Sequence, residues 1–159
     1  MIYHVHRKPV QADPSGETAN FVIEQNLGHL VALTARLFAR TLQVRFADFG
    51  VAVGQWPILM FLWEEDELSQ RELSRRIQIE EPTAARTLAR MERDGLVRRA
   101  RNARDRREIR VSLTDKGNAL RDELIPCAQE VNARATHGLS EADKARLASL
   151  LQYMIARLG

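Results

Sequence analysis

The sequence predicts a mainly α-helical fold with one small β-hairpin, and three observations predict it. Apolar residues recur at helical spacing along most of the 159 residues. Between Leu68 and Leu113, Pro82 and Gly95 punctuate that pattern into helix, turn and helix, after which it changes to a period-two alternation. The same stretch gathers positive charge: residues 71–110 hold thirteen arginines against seven acids, a net charge of +6, while the remainder carries eleven basic and fourteen acidic groups, a net of −3. The overall +3 therefore hides a polarised molecule. A basic stripe on one folded unit is the electrostatic footprint of a nucleic-acid binder.

The bulk composition narrows the alternatives. A hydrophobic fraction of 45% is enough for a core, and 28% charged residues is ordinary for a globular chain. No apolar run approaches the ~20 residues of a membrane span. The first residues lack an apolar segment with a small-residue cleavage site, so no secretory leader is expected. A single cysteine, Cys127, excludes an intrachain disulfide and fits a reducing, cytoplasmic setting. No nucleophile–base pair, metal-ligand cluster or phosphate loop is present, so neither an enzyme nor a cofactor is expected.

Taken in order, residues 1–18 carry Pro9, Pro14 and Gly16 without periodicity and read as a flexible N-terminal arm. From about Ala19 to Phe49, Leu27, Leu30, Val31, Leu37, Phe38, Leu42 and Phe46 mark a helix of about thirty residues, ended by Gly50. A helix that long is hard to bury in so small a chain, so part of it is expected to pack on another chain. A second stripe, His29–Leu33–Arg36–Arg40, runs along one side of it. That stripe is either a solvated face or a cationic lining for an anionic ligand. Gln55–Trp63 is short and intensely apolar, a core helix with Pro57 in its first turn. Trp56 is a packing residue there or the wall of a ligand cavity. The acidic run Glu64–Glu67 reads as a solvated connector.

The next helix opens at Ser69, where Ser69 and Glu72 spell a capping box and Leu68 can staple onto Leu73. Arg71, Arg75 and Arg76 stay outside. Pro82 suits the first turn of the following helix, and Gly95 suits its end near Asp94. Ala84, Leu88 and Met91 form the core-facing stripe of that helix, with Thr83, Arg86, Thr87, Arg90 and Arg93 opposite. Guanidinium groups and threonine methyls are suited to base edges in the major groove. Glu80 and Glu81 at the helix start would repel a phosphate backbone that came too close. Leu96–Arg101 and Glu108–Leu113 alternate as strands of a two-stranded hairpin. Seven arginines among the thirteen residues from Arg98 to Arg110 would repel one another unless phosphate neutralised them. Asp105 lies close enough in sequence to hold the Arg107 guanidinium, and an arginine on a thin hairpin suits the narrow minor groove. Thr114 caps a further helix that Pro126 should bend, and Ser140 with Asp143 starts the last one. These helices have more apolar stripe than a monomer can cover, which predicts a helical dimer interface.

LGHL…LFARTL, QWPILMFLW, LSQRELSRRI, PTAARTLARMERDGLVRRARNARDRREIRVSLTDKG and GLSEAD…LASLL together resemble a MarR-family transcriptional regulator, from about Asn26 to the end. The most specific part is GLV-R-R…D-R-R…V-x-LT-x-KG. The resemblance implies one winged helix-turn-helix at 51–113, flanked by a dimerisation region of long helices at 19–50 and 114–159. It further implies a homodimer on palindromic double-stranded DNA, a repressor released by a small phenolic or aromatic acid or its CoA thioester. Residue by residue, it implies that Thr83, Arg86, Thr87 and Arg90 face bases and that Ser69 meets phosphate. Arg75 and the tip residues Arg104, Asp105, Arg106 and Arg107 complete the expected DNA-binding set. His29, Arg36, Arg40 and Trp56 become the expected effector-binding set. The cysteine of redox-sensing relatives lies near the first helix, unlike Cys127. A DNA-binding architectural or constitutive regulator without an effector is the alternative.

Overall fold

The computed structural model describes residues 22–103, 105 and 107–159. The expected arm at 1–18, and with it Arg104 and Arg106 of the hairpin tip, lie outside the described residues. Two compact units divide the chain within the first helix, residues 1–37 and 38–159.

That helix, α1 (Leu27–Phe46), is 20 residues long rather than about thirty. Asn26 is extended and its Oδ1 accepts the His29 N–H at 2.9 Å, so a side-chain cap starts the helix at Leu27 after a short 3-10 turn at Ile23–Gln25. The other end tightens into a second 3-10 turn, Ala47–Phe49, and stops at Gly50, whose φ of 67° favours glycine, as expected from the sequence. After a further 3-10 turn, α2 (Trp56–Glu64) follows, with Pro57 in its first turn.

The acidic connector is exposed but not idle. Asp66 Oδ1 accepts the Leu113 N–H at 3.0 Å, and the Glu67 carbonyl accepts Arg110 Nη1 at 2.8 Å. These bonds deliver the chain into β1 (Leu68–Ser69), a strand the sequence reading missed. The expected two-stranded hairpin is consequently a three-stranded antiparallel sheet in the order β1-β3-β2, with β2 at Val97–Arg101 and β3 at Ile109–Leu113. Leu68 pairs with Val111 and Ser69 with Arg110, while Arg99 faces Val111 from the other side.

Between β1 and β2 lie α3 (Gln70–Arg76) and α4 (Glu81–Arg93). Ser69 caps α3 by accepting the Glu72 N–H at 3.0 Å. Only this half of the expected capping box forms; the Glu72 carboxylate is drawn to Arg75 and Arg76 instead. The turn between the helices passes through Gln78 at φ 52°, and the buried Ser74 hydroxyl donates to the Ile79 carbonyl at 2.6 Å. Ala84, Leu88 and Met91 are fully buried, as their spacing requires. Leu88 and Met91 join Phe46, Ile58, Leu59, Leu62, Leu73, Val111 and Leu124 in a core cluster within residues 38–159.

The fifth helical segment is interrupted. It breaks at Leu120, into α5 (Asp115–Ala119) and α6 (Arg121–Ala135), and Pro126 sits inside α6. Proline lacks an N–H and so forgoes one helical bond; here the helix runs on through that loss, and the interruption falls one and a half turns earlier, where Leu120 adopts a turn. The last helix, α7 (Glu141–Leu158), opens on the full Ser140–Asp143 capping box. Leu147, Leu150, Leu151, Tyr153, Ile155 and Leu158 stand exposed along it.

A tight joint ties the sheet to α5. Thr114 Oγ accepts the Gly117 N–H at 3.0 Å and donates toward the Gly95 and Leu96 carbonyls at 2.6 and 3.1 Å. Gly117 packs so closely that a Cβ there would lie 2.1 Å from the Leu96 carbonyl oxygen. Trp63 Nε1 donates to the Gly117 carbonyl at 3.1 Å from the α2 side. Gly117→Ala is expected to lower unfolding free energy by about 2–3 kcal/mol, as overpacking against rigid backbone does. Urea unfolding followed by far-UV circular dichroism measures it, and an unchanged midpoint would contradict this packing.

Candidate nucleic-acid interface

The face of α4 turned away from the core presents Thr83, Arg86 and Arg90, all exposed. Thr87, expected beside them, is only 6% exposed, and its hydroxyl donates to the Thr83 carbonyl at 3.0 Å. It sits at the boundary between the two faces, because the step from Leu88 brings it round toward the core. The four residues still line one shallow hollow, with Thr87 at its floor. Arg86 Nε rests on the Pro82 carbonyl at 3.2 Å, one turn back.

The arginines around this face fall into two groups. Arg76 binds Glu72 at 2.7 Å and Glu65 at 2.6 Å, Arg99 binds Glu92 at 2.7 Å, and Arg110 binds Glu108 at 3.1 Å. Arg75, expected to be available for DNA, is exposed but reaches Glu72 at 2.6 Å. Among the described residues, no ion pair holds Arg86, Arg90 or Arg107. Arg75, Arg76, Arg99 and Arg110 are thus neutralised locally. Arg86 and Arg90 on α4, Arg98 and Arg101 on β2, and Arg107 at the tip are exposed without an ion pair among the described residues and remain open to an external anion.

At the tip, Asp105 does not hold the Arg107 guanidinium in the manner expected. Its Oδ1 accepts the Arg107 backbone N–H at 3.0 Å, and its carbonyl accepts the Glu108 N–H at 3.0 Å. Aspartate commonly turns a chain this way because its short carboxylate reaches the amide two residues on. Asp105 therefore shapes the loop and leaves the Arg107 side chain exposed. A cleft between this tip and the helix pair is lined by Ser69, Arg71, Glu81, Asp105 and Arg107. Glu81 lies 3.7 Å from Arg71, which draws its charge away from the α4 start. Ser69 is half-buried at the foot of the cleft.

The expected effector residues are distributed as follows. His29, half-buried, and Arg36, exposed, lie on α1 within residues 1–37. Arg40 is exposed further along α1. Trp56 packs its ring on Phe46 at 5.1 Å and meets Trp63 edge-on at 5.7 Å, so its body belongs to the core. Its remaining surface lines a hollow between α2 and α6 with Met60, Trp63, Ile125 and Arg121. Arg121, which the sequence reading passed over, is the cation there; its place follows from the break at Leu120, which no local signal marks.

Residues 49–108 match the MarR family. The chain is 32% identical over 139 residues to the HTH-type transcriptional regulator TtmR of Methylorubrum extorquens (strain PA1), a match covering 86% of this chain and 71% of that protein. Its fold is similar to that of the transcriptional regulator SlyA, with a TM-score of 0.80 at 25% identity over 84% of this chain and 94% of the other. A Listeria monocytogenes protein assigned to the MarR family, solved in complex with 26mer DNA, gives a TM-score of 0.79 at 23% identity over 84% and 89% of the two chains. The chain belongs to the MarR family of winged helix-turn-helix proteins. It is a DNA-binding transcriptional regulator and not an enzyme. Among the described residues, no single helix is long and apolar enough to cross a membrane.

The Glu72 carboxyl is held down at about 2 by hydrogen bonds from Arg75 and then Arg76. Its charged form is favoured in the fold, so the unfolded chain takes up a proton first as pH falls below the ordinary value of 4.5. The stabilisation from this cluster is complete above 4.5 and lost between there and about 2. In Glu72→Gln that acid-side segment should vanish from a plot of urea midpoint against pH; a profile parallel to wild type would remove the cluster's role.

Proposed function

We propose that this protein is a homodimeric repressor of palindromic operators, with α4 in the major groove, the hairpin tip in the adjacent minor groove, and a small effector that releases it. The observation that carries the DNA reading is the sorting of arginines. Among the described residues, Arg86 and Arg90 on the α4 face, Arg98 and Arg101 on β2, and Arg107 at the tip stand exposed without ion-pair partners, while Arg75, Arg76, Arg99 and Arg110 are paired. An arginine kept unpaired at the cost of mutual repulsion is suited to a phosphate backbone or a guanine edge. Thr83 adds a methyl and a hydroxyl to the same face, Ser69 and Arg71 line the cleft beside it, and Arg75 gives up Glu72 if it joins them. In this reading residues 51–113 form the reading head, and 19–50 with 114–159 form the dimerisation region. The row of exposed apolar residues on α7 supports a second copy as its cover, because a lone monomer rarely leaves so much apolar surface open.

A duplex selected by the wild-type protein from a random pool provides the probe. Arg86→Ala or Arg90→Ala is expected to weaken its binding by about 1–3 kcal/mol and to relax the base preference at one position. Affinity should fall with salt, with a log–log slope of about −0.9 per phosphate neutralised. Equal binding of the variants to selected and scrambled duplexes would sink the major-groove assignment.

For the effector, the hollow walled by Trp56, Trp63, Glu64 and Arg121 offers aromatic surface and one cation beside one acid; Arg121 is the group suited to the carboxylate of an aromatic acid or the phosphates of its CoA thioester. Trp63 lines this hollow and also donates to the Gly117 carbonyl, next to the Leu96 backbone from which β2 departs. A ligand that moves Trp63 therefore pushes on the root of the hairpin. Titrating a panel of aromatic acids and CoA thioesters into the protein–duplex complex tests this. Release lost in Arg121→Ala supports the hollow, and release lost in Arg40→Ala supports the α1 stripe with His29 and Arg36. Affinity unchanged across the whole panel would favour the effector-free regulator.

A further inference from the structure

We infer that Glu92 is a positioning residue for DNA recognition, fixing the hairpin tip relative to the reading helix; the inference rests on the proposal that α4 and the tip occupy neighbouring grooves. Glu92 lies in the last turn of α4, facing β2 across the turn at Asp94–Leu96. Its Oε1 accepts the Arg99 backbone N–H at 3.1 Å, while its Oε2 accepts Arg99 Nε at 2.9 Å and Nη2 at 2.7 Å. Both carboxylate oxygens are engaged by one residue, at the backbone and at the guanidinium fork together. The pair is partly shielded from water, with side-chain exposures of 39% for Glu92 and 25% for Arg99. The Arg99 bonds hold the Glu92 carboxyl below its usual range, which favours its charged form.

The position of Arg99 matters more than the strength of the bond. Arg99 is the middle residue of β2, opposite Val111 in the register, and the strand pair runs from there as a stiff ribbon to the tip. On its other edge the ribbon is held by β1, by Asp66 on the Leu113 N–H, and by the Glu67 carbonyl on Arg110. Those restraints tie the ribbon to the segment after α2, not to α4. Among the described residues, and apart from the turn itself, the Glu92–Arg99 fork is the polar link from the reading helix to the ribbon. A few degrees of freedom at this root become a displacement of ångströms at Arg107. An isolated surface ion pair contributes little to stability, but a bidentate, charge-assisted one restricts angle as well as distance. Glu92 therefore sets the spacing between major-groove and minor-groove contacts without touching DNA.

A double-mutant cycle on the selected duplex tests this, since coupled residues are non-additive and independent ones add. Arg107→Ala alone is expected to weaken binding about tenfold, as loss of a charge-assisted contact does. Glu92→Gln is expected to weaken binding to a similar degree, although it makes the protein more positive, and the combined variant should bind no more weakly than either single one. Arg99→Met, which removes the fork from the strand side but leaves the backbone bond, should behave as Glu92→Gln does. Hydroxyl-radical footprints should show minor-groove protection reduced in both, with guanine-N7 protection in the major groove retained. Penalties that multiply in the combined variant, or a Glu92→Gln protein that binds more tightly through its added charge, would overturn the inference while leaving the groove assignment intact. If Arg107→Ala alone bound normally, the tip would make no contact worth positioning, and both readings would fall. If Glu92→Gln proved poorly folded by thermal melting, Arg99→Met would carry the cycle with the same expectations.

Discussion

Like charges crowded into a short segment repel one another, and residues 71–110 must fold with a net charge of +6. The structure meets that constraint by distributing its few acids unevenly. Glu72 serves two arginines, Glu65 reinforces one of them, Glu92 takes Arg99, and Glu108 takes Arg110. Glu72 binds its two arginines along α3 itself, whereas the other pairs lie where two elements meet: helix on connector, helix on strand, turn on strand. The acids therefore spend their charge on architecture. The repulsion left over falls on Arg86 and Arg90 of α4, on Arg98 and Arg101 of β2 and on Arg107 at the tip, exposed positions where an outside anion can relieve it.

Much of this was legible from residue order. Ala84, Leu88 and Met91 at helical spacing, bounded by Pro82 and Gly95, define α4 to within a residue, because burial of that stripe admits one orientation. The alternation of Ile109, Val111 and Leu113 defines β3 for a comparable reason. The features that escaped the reading depend on partners far along the chain. Two residues, Leu68 and Ser69, hold no periodicity, so β1 exists only because β3 offers it an edge. Asn26 could have continued a helix; its side chain takes the His29 amide and ends the turn before it. The interruption between α5 and α6 falls at Leu120, an ordinary leucine with no breaker residue beside it. Charge, too, was counted more readily than paired. Arg75 and Arg90 look alike in a sequence, and only the fold shows Glu72 beside the first. The Glu92–Arg99 fork spans seven residues across a turn, beyond any helical spacing rule.

The joint at Gly117 shows how a small residue can organise its surroundings. With no Cβ, it lets α5 start directly against the Leu96 carbonyl, and Thr114 turns the same crossing into a web of hydrogen bonds. The indole of Trp63 closes the joint from α2. Three elements thereby meet at one backbone position, and movement of any one is felt by the other two.

The split character of α4 has a consequence for how such a protein changes over time. Its inward stripe is locked into the core, and its outward residues Thr83, Arg86 and Arg90 stand clear of it. Substitutions on the outward side meet little steric resistance from the scaffold, so lineages can drift in what they recognise while the fold persists unaltered. Thr87 is the exception. It lines the outer hollow and is also built into the core, so a substitution there would change that surface and lower stability together.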